Sequence, residues 1–572
     1  MPINRKRWVF ADEDPLAERR LRDELGIGAV TARILASRGL IEPAVVKRFL
    51  QPRLADLPHP HQMAGAAAAA RRIADALERG EKIGVHGDYD ADGITATALL
   101  ADFFNRLGHP IEPYIPRRLD QGYGFGPDSA RELADRGVKL LITVDCGAND
   151  HDAVRAANER GLAVIVSDHH EIAGPLPPAA VVINPHRPDC GFHAEHLSGV
   201  GIAFFLAAAV RLELAGRGWA AADDYDLKSV LDLVALGTVA DIVPLVGVNR
   251  ILVFHGLELL NQDRRAGLTA LRKVAAVQTP VRCGDIGYRL APRINAAGRL
   301  GDAAVGLNLL LTDDEAEAGR LARLLHEENA RRQSIESAIF QQAQKMFGQI
   351  ARAERLQSIV LAHPDWHPGV IGIVASRMVE MFNRPTILIS AVGDVGRGSG
   401  RSLPGFNLYE ALQACEEHLE GYGGHEQAAG VQIKLDQIFE FAKAFDQYAR
   451  RTLQAEDLVP KQRVDAWCEI DEVTETLVRE LGSLAPFGFG NPEPVLAARD
   501  VRVLNKQLVG GEHLKLRIPW RKTALAVIAF GRAELLEQLG SRLDLAYSPE
   551  FNYYGGVEHI QLRARDIVIP DL

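Results

Sequence analysis

One stretch restricts what this chain can become more than any other: Val85-His86-Gly87-Asp88-Tyr89-Asp90-Ala91-Asp92-Gly93-Ile94-Thr95. The run before it, Lys82-Ile83-Gly84-Val85, is apolar enough for a buried strand, and Ile94 to Phe104 has the spacing of an amphipathic helix. The acidic cluster therefore falls at the carboxyl end of a strand, where open α/β sheets place their ligands. An extended backbone from His86 to Asp92 would send residues of even number to one side, so His86, Asp88, Asp90 and Asp92 are expected to converge. Four such groups at one strand end repel one another unless a cation holds them together.

Two later strands end in the same kind of residue. Leu140–Val144 runs into Asp145-Cys146-Gly147, and Ala163–Ser167 into Asp168-His169-His170. A further apolar, helix-like run, Val234 to Ala240, ends in Asp241 before Pro244. Singly, each also fits a turn, a helix cap or an exposed loop. On successive strands they make a set that capping does not explain. Carboxylates and imidazoles without thiolate suit Mn²⁺ or Mg²⁺, and the number of ligands suits two ions sharing a carboxylate, as in phosphoester hydrolysis.

The remaining sequence sets the frame. A chain of 572 residues exceeds one core, so several domains are expected. The five cysteines are scattered without a CxxC pair, which argues against a zinc ribbon or a disulfide framework and points to a reducing compartment. Met1 to Trp8 has no secretory h-region, and apolar windows such as Ile202 to Val210 are too short to span a bilayer. The net charge of −10 excludes a uniformly basic surface but leaves room for a local basic groove.

In order along the chain, residues 1 to about 80 are expected to be helical, over Asp14–Leu25, Gly28–Arg38, Glu42–Leu50 and Ala64–Arg79. From Lys82 to about Leu260, strands alternate with helices, as in a parallel sheet covered on both faces. Gly287 to Arg299 is a Gly- and Arg-rich loop, with Arg289, Arg293, Asn295 and Arg299 as phosphate-binding candidates. Asp313 to Arg355 is one long solvated helix connecting two α/β patterns. A second α/β unit from Gln357 contains Gly396–Ser402, expected to be a loop that cradles phosphate on backbone N–H groups with Arg397, Ser399 and Arg401 in support. His425 stands next to Gly423-Gly424 and is either a phosphate donor or a turn residue. From about Lys461, short alternating runs indicate a small antiparallel barrel. Its aromatics (Trp520, Phe530, Phe551, Tyr553, Tyr554) and basic residues (Lys515, Arg517, Arg521) suit single-strand binding, though core and surface members cannot be separated from sequence.

Gly87–Gly93, Val144–Gly147, Asp168–His170 and Gly237–Asp241 resemble, in order, the four motifs of the DHH phosphoesterase superfamily. Gly423-Gly424-His425 with Ala428-Ala429-Gly430 resembles the associated DHHA1 domain. Glu426-Gln427 departs from the smaller or apolar residues usual in relatives, leaving the glycines and the histidine intact. The resemblance runs from about residue 50 to the end. With the connector and the barrel, it is to the exonuclease branch of that superfamily, acting on single-stranded DNA. The resemblance implies an α/β multidomain fold: an N-terminal helical segment (1–50), a parallel-sheet DHH catalytic domain (51–300), a long connecting helix (301–356), an α/β DHHA1 domain (357–456) and a C-terminal OB-fold β-barrel (457–572). It implies 5′→3′ degradation to mononucleotides in DNA repair and recombination. In the implied site His86, Asp90 and Asp241 hold one ion, Asp92 and His169 the other, and Asp145 bridges. Asp88 orients a ligand or water, Asp168 its own loop, and His170 meets the scissile phosphate or the leaving group. A single-strand-binding protein and a RecQ-type helicase are the implied partners of a cytoplasmic bacterial monomer with no membrane attachment. A short-oligonucleotide phosphoesterase and a non-catalytic replication factor on the same scaffold are the rival readings.

Overall fold

The computed structural model describes residues 6–116, 124–194, 196–350, 356–554 and 557–569. The first five residues of the N-terminus, positions 351–355 at the end of the predicted connector, and the Tyr554 side chain lie outside that description. The chain divides into two compact units: residues 47–330 with 484–493, and residues 1–46 with 331–483 and 494–572.

The first unit is built on five parallel strands in the spatial order Glu112–Tyr114, Ile83–Gly87, Leu140–Val144, Ala163–Ser167, Val181–Ile183. Ile83–Gly87 and Leu140–Val144 are buried throughout, as strands covered on both faces must be. Ile142, Val144 and Ile165 join Leu99, Phe103, Val200, Phe205 and Leu236 in one core. Leu141, Val164 and Val166 point the other way and pack with Leu133 and Val154 from the helices Pro127–Asp135 and His151–Glu159. After Ile83–Gly87 the chain adds its next strand on one side and Leu140–Val144 on the other. That reversal makes the gap between them the switch point where such sheets bind ligands.

The apolar window at Ile202 belongs to an 18-residue helix, Gly199–Gly216, long and apolar enough to cross a membrane by length and composition alone. The expectation of a window too short for that fails at the level of the whole helix. Two thirds of it (67%) is buried inside the protein, where its Val200, Phe205 and Leu206 serve the core.

Gly287–Arg299 is also not a loop. A wide helical turn, Ile286–Leu290, runs directly into the helix Ala291–Leu300. Pro292, which has no N–H to donate, sits where the wide turn passes into this helix, and Ala291, Ile294, Ala296 and Ala297 give the helix a buried face. The connecting helix is observed as Glu315–Ile350, 36 residues long.

In the second unit, a five-stranded mixed sheet runs in the order Gly421–Gly424, Ala428–Lys434, Val395–Arg401, Thr386–Ser390, Ile359–His363. The C-terminal seven-stranded sheet is mostly antiparallel, consistent with an OB fold. Two of its pairings, Ala466–Trp467 with Leu496–Arg502 and Thr523–Ala529 with Val557–Val568, are parallel. The strand Asn505–Val509 was not anticipated. The N-terminal helices appear as Pro15–Leu25, Ala29–Ser37, Pro43–Leu50 and Ala66–Glu78. Before them, Arg7–Phe10 is a strand rather than helix, paired in parallel with Lys461–Val464.

Candidate metal centre

The backbone does not stay extended from His86 to Asp92. The strand ends at Gly87, and Asp90 caps a helix that starts at Ala91, its Oδ1 accepting from the N–H groups of Asp92 (2.9 Å) and Gly93 (3.1 Å). A side-chain cap of this kind stops the alternation of strand residues, so the members of the acidic run reach the site by different routes. Asp92 lies in the first helical turn. Its carboxylate accepts from Gly199 N (2.6 Å) and Val200 N (2.9 Å) at the start of the buried Gly199–Gly216 helix, whose positive end favours a carboxylate. A Cβ at Gly237 would come within 2.8 Å of Asp92 Oδ1, so that motif position admits only glycine without displacement. Asp145 follows its strand at φ 62°, a left-handed conformation that aspartate tolerates better than most residues, with its N–H donating to Ser167 O (3.0 Å). Asp168 accepts from the N–H groups of Ala148, His169 and His170, which folds its loop around it. Asp241 closes the helix Leu231–Ala240.

These residues meet at the sheet's switch point. His169 Nε2 lies 3.1 Å from Asp145 Oδ1 and 3.6 Å from Asp241 Oδ2. None of the three atoms makes a hydrogen bond of proper geometry, although all are buried, and both Asp88 oxygens are in the same condition. Buried polar groups are normally paired, so converging unpaired ones call for an ion. Three sets have ligand atoms within 4.8 Å of one another: Asp88, Asp90 and Asp145; Asp92, His169 and Asp241; Asp145, His169 and His170. These residues fit two hard divalent cations, with Asp145 reaching both sides.

His86 departs from the sequence expectation. Its ring stacks on Tyr114 (centroids 5.4 Å apart) and meets the edge of Phe125 (5.1 Å), with Nδ1 3.6 Å from Cys146 Sγ. As an inner strand residue it is fully buried, and its Nε2 is also without a hydrogen-bond partner; it enters none of the three sets, where Asp88 stands instead.

The electrostatics express the same crowding. Burial, then the neighbouring carboxylate of Asp90, pushes Asp88 up to about 8 and Asp92 to about 7. Burial, with Asp92 and Asp90 beside it, pushes Asp241 to about 9, and Asp145 is raised well above the usual range. Burial lowers His169 to about 4, leaving it neutral as a ligand must be. His170 behaves oppositely. Burial works against its charge, but the 2.7 Å contact of Nδ1 with Asp168 Oδ1 outweighs it, and the ring is raised to about 9. Asp168, although buried, falls to about 2 through the same pair and its N–H donors. At neutral pH this places an imidazolium, roughly one third exposed (36%), at the rim of an acidic pocket.

The predicted phosphate-binding residues divide. Asn295 Oδ1 accepts from Ala91 N at 2.7 Å, so it braces the start of the Ala91–Arg106 helix rather than facing outward for DNA. Arg289 donates to the carbonyls of Ala275 and Ala276, and Arg293 meets His326 Nδ1 (3.2 Å) and the carbonyl of Arg289. Arg299 is half-buried in the last turn of its helix.

Gly396–Ser402 cannot cradle phosphate on its backbone. Val395–Arg401 is an inner strand, laddered to Ala428–Lys434 on one side and Thr386–Ser390 on the other. Its glycines pack inward, under Ile389, Val431 and Leu408, while Arg397, Ser399 and Arg401 share the opposite face. Ser399 and Arg401 close on Gly372, at the first turn of the helix Ile371–Phe382. His367 lies at this helix start, its carbonyl accepting from Val370 and Ile371 N, and neither it nor Gly372 stands out in the sequence. His425 is exposed at a hairpin, its N–H donating to Ala428 O. Of the barrel aromatics, Phe530 and Tyr553 are exposed, Trp520 donates to Val473 O, and Phe551 lies under Arg479.

Comparison with known proteins gives three family matches: the DHH family N-terminal domain over residues 82–238, the DHHA1 domain over 355–451 and the RecJ OB domain over 464–566. The single-stranded-DNA-specific exonuclease RecJ of Dickeya dadantii is 37% identical over 96% of this chain and 97% of its own length. The structure of RecJ from Thermus thermophilus with Mn²⁺ superposes with a TM-score of 0.83 at 34% identity, covering 99% of this chain and 80% of that one. The same protein with Mg²⁺ gives 0.78 at 33% identity, covering 99% and 78%.

Proposed function

The chain belongs to the RecJ family of single-stranded-DNA-specific exonucleases, and from that premise we propose that it degrades single-stranded DNA from the 5′ end to mononucleotides with two divalent ions, Mn²⁺ or Mg²⁺. The observation that carries the metal reading is the set of buried, unpaired atoms on Asp88, Asp145, His169 and Asp241 at the sheet's switch point. Asp88, Asp90 and Asp145 would hold one ion and Asp92, His169 and Asp241 the other, with Asp145 adjoining both groups. His86 is left out of this ligand set and supports the Asp145–Cys146 turn from behind.

When bound, the ions supply Lewis-acid stabilisation of charge at the scissile phosphate and lower the pKa of water. The protein supplies the rest. Backbone N–H groups hold Asp90 and Asp92 in place before substrate arrives. His170 carries a proton at the rim, oriented by Asp168, where it meets a phosphate oxygen or the departing oxygen. Ser399 and Arg401 take a further phosphate of the strand beside the Gly372 helix start, with Arg397 on the same strand and His425 at the hairpin that follows Gly421–Gly424. Arg289, Arg293 and Arg299 remain phosphate candidates on the first unit. The proposal extends to domains at 1–50, 51–300, 301–356, 357–456 and 457–572, to action in repair and recombination, and to partnership with a single-strand-binding protein and a RecQ-type helicase that supplies single strands. Their support is the family resemblance.

Digestion of end-labelled single strands tests the reading. Release of label from the 5′ end with Mn²⁺ or Mg²⁺, loss of activity in excess chelator, and poor cutting of blunt duplex are expected. Release from the 3′ end, or turnover that persists in chelator, overturns it. Exclusive action on di- and trinucleotides would favour the short-oligonucleotide reading.

A further inference from the structure

Residues 484–493 cluster with the catalytic unit, although the chain on either side of them belongs to the other unit. The loop lies in atomic contact with Pro244 and Leu245. Leu245 N donates to Phe489 O at 2.8 Å. A Cβ at Gly488 would stand 2.7 Å from Leu245 Cδ1, and one at Gly490 (φ +73°) 2.8 Å from Pro244 Cβ. Both glycines are therefore required by close approach, and Gly490 by its backbone angle as well.

Pro244 is three residues beyond Asp241. Between them Ile242 takes φ 62° with its side chain 69% exposed. A β-branched residue holds a left-handed conformation only where its surroundings leave no alternative, and an exposed side chain contributes little to that. The constraint comes from the next residues along the chain. Asn249 Nδ2 donates to Pro244 O (3.0 Å) and to His196 O (2.7 Å). The Leu484–Glu493 loop bears on Pro244 and Leu245 from elsewhere in the sequence.

The loop is in turn fastened by Arg250, on the helix Gly247–Leu260 that comes after the turn. Its guanidinium is 2% exposed and donates to the carbonyls of Leu484 (2.9 Å), Ala485 (2.7 Å) and Phe49 (2.9 Å), with Cζ 3.7 Å above the Phe49 ring. Buried Asn491 Nδ2 donates to the carbonyls of Leu484 (2.9 Å) and Pro486 (2.8 Å). Only a planar fork of several N–H donors matches so many carbonyls at once.

We propose that Arg250 and the Leu484–Glu493 loop are positioning elements for the metal centre: they clamp Pro244–Leu245 and so fix the carboxylate of Asp241. The inference rests on the reading of Asp241 as an ion ligand. Asp241 is the one member of its set carried on a helix end followed by a turn. Asp92 is held by two N–H groups at the start of the Gly199–Gly216 helix, and His169 follows the strand Ala163–Ser167 in a loop folded around Asp168.

The test is Mn²⁺ titration of the full-length protein, read by the electron paramagnetic resonance of free Mn²⁺. The set is the parent, Gly490→Ala, Arg250→Lys and Asp241→Asn, with the double variants Gly490→Ala/Asp241→Asn and Arg250→Lys/Asp241→Asn, each with its melting temperature in chelator. Gly490→Ala is expected to weaken one of the two Mn²⁺ sites about tenfold, the lower end of what outer supports of metal ligands contribute, and to leave the other unchanged. In the Asp241→Asn background it should cost nothing further. Parent-like Mn²⁺ affinity in folded Gly490→Ala overturns the proposal, and so does an equal loss with and without Asp241. If Gly490→Ala does not fold, Arg250→Lys decides by the same criteria. If Asp241→Asn itself leaves both sites intact, the ligand reading has failed rather than the clamp.

Discussion

Asp88→Asn should make the metal-free protein more stable and the metal-loaded protein less so. Asp88 is 1% exposed, its oxygens make no hydrogen bond of proper geometry, and burial with Asp90 beside it outweighs the nearby N–H groups of Tyr89 and Gly124 and holds it at about 8 against 3.8 for a free carboxyl. The folded state therefore binds a proton that the unfolded state does not. Such a group contributes fully below about pH 4, and its contribution is lost as pH rises towards 8. At about pH 7.5, acting alone, it would cost ~5 kcal/mol at 1.36 kcal/mol per pH unit. Asp90, Asp92, Asp145 and Asp241 share the same repulsion, so relieving one relieves all, and a net gain of ~2 kcal/mol is the working figure. For a unit of this size that raises the melting temperature by about 4 °C. The amide finds acceptors among the remaining carboxylates, so it adds no unpaired donor.

Calorimetry in chelator and in Mn²⁺ provides the assay. In chelator the parent should gain stability as pH falls from about 9 to about 6.5, the range over which the carboxyls and His170 take up protons. Below that, His86 and His169, both lowered to about 4, resist protonation and oppose the trend. Asp88→Asn should melt higher than the parent at about pH 7.5, converge with it near pH 4, and lose most of the Mn²⁺-induced increase. A lower melting temperature for Asp88→Asn in chelator, or a parent that is destabilised between about pH 9 and 6.5, would refute the reasoning.

Three further outcomes are expected. His170→Gln should lower the rate of strand hydrolysis by about 10²–10⁴-fold and remove a basic limb from the pH–rate profile. That limb should fall between about 6.5 and 9 in the parent, because bound cations offset the help of Asp241 and Asp90 but leave Asp168 in place. Arg401→Lys should raise KM for single strands about tenfold, as expected for loss of a bidentate phosphate contact, with Mn²⁺ affinity unchanged by titration. Glu480→Ala removes the acceptor of Gly28 N (3.1 Å) and Thr31 Oγ1 (2.6 Å) in the second unit, and denaturant unfolding should show a loss of about 1–3 kcal/mol.

How far each feature was legible in the sequence depends on the range of its signal. The parallel sheet was legible because each strand is a short apolar run with its polar residues stacked at one end. Asp145 and Asp168–His170 could be placed by counting from those ends. The reach of the first cluster was misjudged because Asp90 caps its own helix: a local hydrogen bond broke the alternation on which the placement of His86 depended. Val395–Arg401 reads as a loop if its glycines are counted, and as a strand if their spacing is noticed. Glycine at every second position leaves room for Ile389, Val431 and Leu408 to pack directly on the backbone. The strand Arg7–Phe10 and the anchor Arg250 were illegible for a different reason. Their partners, Lys461–Val464 and Leu484–Pro486, lie hundreds of positions away, and no local pattern announces them.

The proposed ligand sets share one design. Each contains a carboxylate with two well-formed backbone hydrogen bonds and one whose buried oxygens make none of proper geometry. Asp90 is held by two N–H groups of its own helix and Asp92 by two from the Gly199–Gly216 helix, whereas the Asp88 oxygens and Asp241 Oδ2 are unpaired. The hydrogen-bonded members have their direction fixed before any ion arrives, which lowers the ordering cost of binding. The unpaired ones retain full basicity and bring the repulsion that an ion relieves. Because the fixing is done by main-chain N–H groups, few single side-chain changes around the sheet can undo it. Gly237, where a Cβ would press on Asp92 Oδ1, and the backbone turn after Asp241 are the exposed points of the arrangement. The close fit of Gly488 and Gly490 against that turn is what a site fixed through its backbone would require at a ligand that closes a helix and is followed by a turn.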